Sequence, residues 1–319
     1  MENDLAALAR AAAAHLETDA DGLKLRRCTT GKYNTTWFVE GADRPLVLRV
    51  APPDIREQNL FYEHRMMRQE PGIHRAILEG AGVPVPEILA ADFSRGLLDR
   101  DFLLMERMPG TPLSEATGIG RRELDRLLGE LGQALRRVHG FHARRYGYLG
   151  EHEPAPSADN WTDAFAVMWG YLLTDISGCG GYSLAEADAL RRLLDTNLDK
   201  FTRSEPSSLL HMDIWAQNVM TGPEGELLGL LDWDRALWGD VEIEFAVLDY
   251  CGISEPSFWE GYGSRRENDS DAQVRQAFYL LYELQKYIFI RRVRGGNPAL
   301  ADNYRRQSLQ LAGQLGLEL

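Results

Sequence analysis

The hydrophobic and polar positions in the N-terminal third of the chain form short runs separated by turn residues. Residues 23–30, 36–39 and 46–50 are bounded in this way, a pattern that predicts three strands. A further strand is predicted at residues 102–106, where the run gives way to Arg-Met-Pro-Gly, a sharp change to residues that break regular structure. We therefore expect a small sheet in the first third of the chain.

The rest of the chain follows mainly a helical period. Between residues 124 and 138, apolar side chains recur at i, i+3, i+4, i+7, i+11 and i+14, which predicts a helix with one core face. Residues 160–175, 183–203 and 272–294 are predicted to form further helices. The second part of the chain is therefore expected to be mainly helical.

Composition narrows the class of protein. The 319 residues suffice for one or two domains with a large core, and 44% hydrophobic and 26% charged residues are typical of a globular protein. No apolar run approaches the roughly 20 residues that span a bilayer, and the acidic start of the chain lacks the basic leader of a signal peptide. Three scattered cysteines (Cys28, Cys179, Cys251) do not suit a disulfide framework or a zinc site. We therefore expect a cytoplasmic protein that binds no membrane.

The formal net charge of −13 bears on the choice of partner. A field of this sign repels nucleic acid and attracts polycations. The alternative is that the charge serves solubility alone. We therefore expect no nucleic-acid partner, and no obligate protein partner is evident from the sequence.

Two short apolar runs around residue 220 are predicted to form a β-hairpin. Residues 218–220 and 227–231 are joined by Thr-Gly-Pro-Glu-Gly-Glu, a segment rich in turn residues. Pairing of these runs, with a rise of about 3.3 Å per residue, brings Asn218 and Asp232 within roughly the reach of one cation.

The residue types at this end of the hairpin suit phosphoryl transfer. Mg2+ prefers oxygen ligands such as the carboxylate of Asp232 and the amide carbonyl of Asn218. Asp213 would orient the attacking hydroxyl and accept its proton, with His211 as a scaffold residue. The pattern H-x-D-x-x-x-x-N, followed by an aspartate on a strand, matches the catalytic loop and metal aspartate of kinases. The alternative is a buried loop whose Asp and Asn side chains cap turns.

The segment that begins at His211, together with Leu-Leu-Asp-Trp-Asp at residues 230–234, resembles the aminoglycoside phosphotransferase family, the small-molecule relatives of protein kinases. The family usually has glycine at the position of Met212, and protein kinases have Asp-Phe-Gly where this chain has Asp-Trp-Asp. The resemblance implies an α+β, protein-kinase-like two-lobe fold. A nucleotide-binding lobe with a small antiparallel sheet (residues 1–106) would precede a larger, mainly helical catalytic and acceptor-binding lobe (residues 107–319). It also implies ATP (or GTP) and Mg2+ as cofactors.

The resemblance assigns four residues of the first lobe to the nucleotide. Thr30 and Gly31 lie in the turn between the first two strands, whose backbone N–H groups would cover the phosphates. Arg49 stands where kinases have the lysine that binds the α- and β-phosphates, and a guanidinium can hold phosphate bidentately. Its predicted partner is Glu70, chosen over Glu63 for its spacing to the following Val-Pro-Val-Pro segment. The alternatives are an ordinary hairpin turn, an edge-strand arginine and a solvated helical glutamate.

Two further segments take their roles from the resemblance. The segment from Glu106 to Met108 becomes the hinge whose backbone binds the adenine edge; without the resemblance it is a strand that ends in a turn. Residues 239–246 resemble the family's G-D-P-x-x-D-L-A segment, with Val for Pro and Glu for Asp, and Asp240 is expected to brace the catalytic loop.

Acceptor-binding residues are predicted from the mixture of acidic and aromatic side chains. Such groups bind ammonium or guanidinium through ion pairs and cation–π contacts, and in the family the helices before the catalytic loop help to shape the acceptor site. The predicted acceptor-binding residues are Trp161, Asp234, Trp259, Glu260 and Tyr262. The alternatives are an aromatic core and a solvated acidic surface.

The sequence as a whole predicts an enzyme that transfers phosphate from ATP to a hydroxyl of a small cationic molecule. Segments such as Tyr-Gly-Tyr-Leu-Gly at residues 146–150 look most like the viomycin and capreomycin phosphotransferases, which implies a tuberactinomycin-type cyclic peptide as acceptor and antibiotic resistance as the outcome. An aminoglycoside kinase or a metabolic small-molecule kinase is the alternative within this class. From another class, the alternative is a nucleotide-binding pseudokinase. The joint presence of Asp213, Asn218 and Asp232 argues against it, and Arg49 with the single glycine of the loop argues weakly for it.

Overall fold

The computed structural model describes residues 5–16, 18–31 and 33–318. Lys32, in the predicted phosphate-covering turn, and the first four residues, which belong to the acidic start of the chain, lie outside this description. The strands of the described residues are β1 (Lys24–Cys28), β2 (Thr35–Glu40), β3 (Leu46–Val50), β4 (Ile88–Asp92), β5 (Phe102–Glu106), β6 (Thr111–Pro112), β7 (His142–Ala143), β8 (Ser207–Leu210), β9 (Val219–Thr221), β10 (Leu227–Leu230) and β11 (Leu237–Gly239). The α-helices are α1 (Leu5–Ala14), α2 (Glu70–Gly80), α3 (Arg121–Val138), α4 (Trp161–Gly178), α5 (Leu184–Asp195), α6 (Val241–Tyr250), α7 (Pro256–Tyr262), α8 (Ser270–Phe289) and α9 (Pro298–Gln314).

Five strands form one antiparallel sheet in the order β1-β2-β3-β5-β4. In β2, Trp37 and Val39 are buried and Glu40 is exposed, because successive side chains of a strand point to opposite faces. The central strand β3 is buried almost throughout. Leu8 and three alanines of α1 join the same core. The strands predicted in the first third of the chain are confirmed.

Two smaller antiparallel sheets follow, β10-β9-β6 and β11-β8-β7. β9 and β10 are the predicted hairpin, with Leu230 opposite Val219. Its turn requires glycine at position 225, because Gly225 has a φ of +78° and an added Cβ would lie 2.1 Å from the Glu123 carbonyl oxygen.

The helices pack around an aromatic core. Phe165 of α4 stacks on Phe201 with ring centroids 4.9 Å apart and meets Tyr279 of α8 edge-to-face at 5.2 Å. Such pairs add to the free energy gained by burial. The helix predicted for residues 272–294 is α8 followed by a π-helical turn, Ile290–Arg294. The sequence patterns did not predict α9.

The chain forms two compact units. The sheet unit comprises Met1–Asp54, Arg65–Leu127 and Gln217–Asp234. The helical unit comprises Ile55–His64, Leu128–Ala216 and Arg235–Leu319. This division differs from the predicted boundary at residue 106, because β6 pairs with β9 and so joins the hairpin to the sheet unit.

The predicted α+β class is confirmed, with antiparallel sheets in the N-terminal part and helices in most of the remainder. Of the helices in the described part of the chain, none is both long and apolar enough to cross a membrane.

Candidate active site

The open end of the β9–β10 hairpin carries Asn218 and Asp232. The Leu231 N–H donates to the Asn218 carbonyl at 2.9 Å, so the pairing continues beyond the last residues of the two strands. Asn218 is 6% exposed, and the Asp232 side chain is 34% exposed. Asp232 has a φ of +70°, a left-handed conformation that residues other than glycine rarely adopt. The fold therefore brings the two predicted metal ligands to neighbouring positions of one hairpin.

Arg49 lies at the centre of a carboxylate cluster in the same unit. Its guanidinium donates to both oxygens of Glu70, at 2.8 and 2.6 Å. It also donates to Asp234 at 2.8 Å and to Asp232. Glu70 begins α2 and is completely buried, whereas Glu63 belongs to the helical unit. Burial would lower the pKa of Arg49, but the three carboxylates raise it above its usual value, so the guanidinium stays charged.

The cluster carries more negative than positive charge. Burial and repulsion from Asp232 raise the pKa of Asp234 well above its usual value. Burial would also raise the pKa of Glu70, but Arg49 and His74 outweigh burial and lower it. A divalent cation bound at Asp232 would offset part of the surplus charge.

The donor set of the hairpin suits Mg2+, which in phosphate-transfer sites takes one or two carboxylates together with phosphate oxygens and waters. Asn218 and Asp232 supply an amide oxygen and a carboxylate. Within the residues that the structure describes, no group of three or more His, Cys, Asp or Glu side chains is arranged to hold a metal ion. The role of Asn218 and Asp232 as metal ligands stays a prediction.

Asp234 is held by elements of the sheet unit. Its carboxylate accepts a hydrogen bond from Asn34 at 2.9 Å as well as from Arg49, and its backbone carbonyl accepts one from Gln69 at 2.5 Å. The side chain is only 4% exposed, and Asn34 lies in the turn predicted to cover the phosphates. Asp234 therefore links that turn to Arg49, and its predicted contact with the acceptor stays a prediction.

The remaining nucleotide candidates lie in loops and at a strand end of the sheet unit. Thr30 and Gly31 are exposed in the loop between β1 and β2. Glu106 ends β5, and its N–H donates to the Glu87 carbonyl at 2.8 Å. Met108 follows in the connection to β6 and is half-buried. Their roles in binding phosphate and adenine stay predictions.

A buried glutamate holds the segment that carries Asp213. The Glu244 carboxylate accepts the N–H of His211 at 3.1 and 3.0 Å and the N–H of Met212 at 2.6 Å, and His139 Nε2 lies 2.9 Å away. Burial would raise the pKa of Glu244, but His139 and His211 lower it. Met212 has a φ of +65°, which explains why glycine suits this position in the family that the segment resembles.

The sequence predicted Asp240, rather than Glu244, as the brace of this loop. Asp240 instead caps α6 by accepting the Glu242 N–H at 3.2 Å, and it accepts the Tyr279 hydroxyl at 2.9 Å. An N-cap side chain is directed at the first turn of its own helix. Glu244, one turn further along α6, reaches the loop instead.

Asp213 lies beside a cation that is not part of the catalytic motif. Arg235 Nη1 donates to Asp213 Oδ1 at 2.7 Å, and its guanidinium lies 5.3 Å from the centroid of the Tyr62 ring. Burial would raise the pKa of Asp213, but Arg235 and Lys286 lower it, so the carboxylate is ionised. Residues 211–218 contain no lysine or arginine. The only signal in the sequence was a basic residue directly after Asp-Trp-Asp.

The predicted acceptor residues of the helical unit differ in their surroundings. Trp161 is 1% exposed, and its indole N–H donates to a tyrosine hydroxyl at 2.6 Å. Tyr262 is 2% exposed, and its hydroxyl lies 2.8 Å from His139 Nδ1. These two side chains pack in the core. Trp259 is half-buried and Glu260 exposed, and their contact with an acceptor stays a prediction.

Comparisons with known proteins identify the family of the chain. The model of the phosphotransferase enzyme family (APH) matches residues 24–278, more than half of the chain. Acyl-CoA dehydrogenase family member 10 of Mus musculus is 25% identical over 238 residues, which cover 72% of this chain and 20% of that protein. The chain thus spans about a fifth of the length of the mouse relative. "Probable ketoamine kinase YniA" of Escherichia coli O157:H7 is 26% identical over 211 residues, 63% of this chain and 67% of that protein.

One solved structure shows the same fold. A thermostable mutant of aminoglycoside phosphotransferase APH(4)-Ia, in a ternary complex with ADP and hygromycin B, has a TM-score of 0.64 at 17% identity and covers 95% of this chain and 97% of its own. This likeness confirms the predicted protein-kinase-like two-lobe fold. None of these three proteins is named for a tuberactinomycin, so that subgroup stays a prediction. The family match shows that the chain belongs to the phosphotransferase enzyme family.

Proposed function

We propose that the protein transfers the γ-phosphoryl group of ATP to a hydroxyl of a small molecule, with Asp213 as the catalytic base. One observation carries the proposal: the segment of Asp213 is fixed by Glu244, and its carboxylate is kept ionised beside Arg235. A carboxylate held in this way orients an alcohol and accepts its proton as the new bond to phosphorus forms.

The sheet unit would bind the nucleotide. We assign Arg49, backed by Glu70, to the phosphates, and Asn218 and Asp232 to Mg2+. When bound, the metal neutralises charge on the phosphoryl group that is transferred. The surplus negative charge around Arg49 supports this assignment, because it favours a cation at Asp232. Thr30 and Gly31 would cover the phosphates, and the backbone from Glu106 to Met108 would bind the adenine edge.

For the acceptor we propose a small hydroxylated amine. The Escherichia coli relative is named a ketoamine kinase, which favours a metabolic acceptor such as a sugar-derived amine. An antibiotic is the second candidate, favoured by the hygromycin B complex of the structural neighbour. The net charge of −13 suits either cation. Trp259 and Glu260 are the side chains that we assign to its ammonium group.

A mass-spectrometric screen tests this function. The purified protein is incubated with ATP, Mg2+ and a panel of ketoamines, aminoglycosides and tuberactinomycins, and each compound is examined for a gain of about 80 Da, one phosphoryl group. We expect the gain on one class with the wild-type protein and none with Asp213→Asn. A protein that binds Mg-ATP but phosphorylates none of these compounds would favour the pseudokinase. An equal gain with Asp213→Asn would exclude Asp213 as the base.

A further inference from the structure

Four charged side chains of alternating sign form a row in the helical unit. Asp213 meets Arg235 at 2.7 Å, Arg235 faces Glu283 at 3.7 Å, and Glu283 is paired with Lys286. Glu283 and Lys286 belong to α8, and their side chains are 2% and 5% exposed. The row therefore begins at the proposed base and ends at a buried lysine.

The inner end of the row lies beside Tyr287. Lys286 Nζ lies 4.9 Å from the centroid of the Tyr287 ring, and the Tyr287 hydroxyl lies 3.4 Å from Glu283 Oε1. A buried pair of opposite charges is seldom more stabilising than apolar side chains of similar volume. The pair on α8 therefore adds little stability to the packing of that helix, and its contact with Arg235 suggests another use.

We propose that Glu283 and Lys286 are positioning residues for Asp213. Lys286 forms an ion pair with Glu283, so that Glu283 competes less for Arg235 and Arg235 binds Asp213. The inference rests on the proposed function of Asp213. Arg235 lies between two carboxylates and is closer to Asp213, at 2.7 Å, than to Glu283, at 3.7 Å. Without the charge of Lys286, Glu283 loses its nearest cation and competes for Arg235. Asp213 then loses the group that fixes its orientation.

The expected effect falls on turnover rather than on substrate binding. Misplacing a catalytic group by about 1 Å costs on the order of 10²-fold in rate, whereas the proposed nucleotide ligands belong to the sheet unit. Lys286→Met should lower kcat by about 10- to 100-fold and leave the KM for ATP within about threefold. The double variant Glu283→Gln/Lys286→Met should recover kcat to within about threefold of wild type, because a neutral glutamine competes less for Arg235.

The probe reaction is phosphoryl transfer from Mg-ATP to water, measured as ADP formation, which needs no identified acceptor. Lys200→Met is the matched control, since Lys200 pairs with two exposed aspartates of the same unit and is itself 32% exposed. We expect this control to keep wild-type kinetics. Wild-type kcat in Lys286→Met, or a double variant as slow as Lys286→Met, would overturn the proposal.

The double variant and Asp213→Asn keep the outcomes distinct. If circular dichroism shows that Lys286→Met does not fold, the double variant decides between the outcomes. A kcat of the double variant near that of wild type supports the positioning role, and a kcat that is lower by tenfold or more overturns it. Asp213→Asn in the same assay separates the two proposals. Full turnover in Asp213→Asn removes Asp213 as the proposed catalytic base, whereas an inactive Asp213→Asn beside an unaffected Lys286→Met removes only the role of the pair on α8.

Discussion

Replacing Arg49 by methionine tests the carboxylate cluster of the sheet unit. Methionine keeps much of the apolar stem, so the change reports mainly the loss of charge and hydrogen bonds. It removes the bonds to Glu70 at 2.8 and 2.6 Å and to Asp234 at 2.8 Å, and also the contact with Asp232. The three carboxylates then lose their shared counterion. Water cannot replace it at two of them, because Glu70 is fully buried and the Asp234 side chain is only 4% exposed.

The size of the effect follows from the balance of attraction and desolvation. A pair of unit charges about 4 Å apart attracts by about 4 kcal/mol at an effective dielectric of about 20. Desolvation and repulsion among the carboxylates offset much of this attraction. Removing one partner of a buried pair costs about 3–5 kcal/mol, since the other charge stays buried without compensation. We therefore expect Arg49→Met to lower the free energy of unfolding by about 3–5 kcal/mol.

Urea unfolding at pH 7, followed by circular dichroism, measures this loss. Arg44→Met is the matched control, because Arg44 pairs with Glu87 at 2.9 Å but the two side chains are 49% and 54% exposed. An exposed pair contributes about 0–1 kcal/mol, so the control should lose no more than that. Equal losses in the two variants would refute the view that Arg49 balances a buried surplus of negative charge.

Three further predictions follow from named contacts. Glu244→Leu should lower the free energy of unfolding by about 3–5 kcal/mol and reduce kcat, because two loop N–H groups and His139 lose their acceptor; Glu244→Gln, which still accepts N–H groups, should lose less in urea unfolding. Asp232→Ala should weaken Mg-ATP binding by about 10–100-fold in calorimetry, and unchanged affinity would exclude Asp232 as a metal ligand. Burial raises the pKa of Asp175 to about 6. Because the unfolded chain ionises this group near pH 3.9, stability should fall by at most about 3 kcal/mol as the pH rises from about 4 to 6. Urea unfolding of Asp175→Asn should show a smaller fall over that range.

Local patterns predicted the parts of the fold and site that depend on neighbouring residues in the sequence. The hairpin followed from two apolar runs and a turn segment, and its pairing fixes where Asn218 and Asp232 lie. The pairing of Arg49 with Glu70 followed from a resemblance in spacing, and the structure contains it. The catalytic segment was found because its motif spans only eight positions, from 211 to 218.

Contacts between elements that are distant in the sequence could not be predicted from local patterns. Glu244 braces the loop because α6 directs its second turn at residues 211 and 212, which depends on how the helix packs and not on the residue type at one position. Arg235 meets Glu283 only after α8 has docked, and no periodicity marks that contact. The extent of the sheet unit depends likewise on the pairing of β6 with β9.

Turnover of Asp213→Asn with ATP and the acceptor identified by the screen tests the central claim most directly. The control is Asp249→Asn, since Asp249 is also paired with an arginine of the helical unit but its side chain is 40% exposed. We predict that Asp213→Asn loses about 10²–10⁴-fold in kcat with little change in the KM for ATP, and that the control keeps wild-type kcat. A kcat for Asp213→Asn within about threefold of wild type would contradict the assignment of Asp213 as the catalytic base.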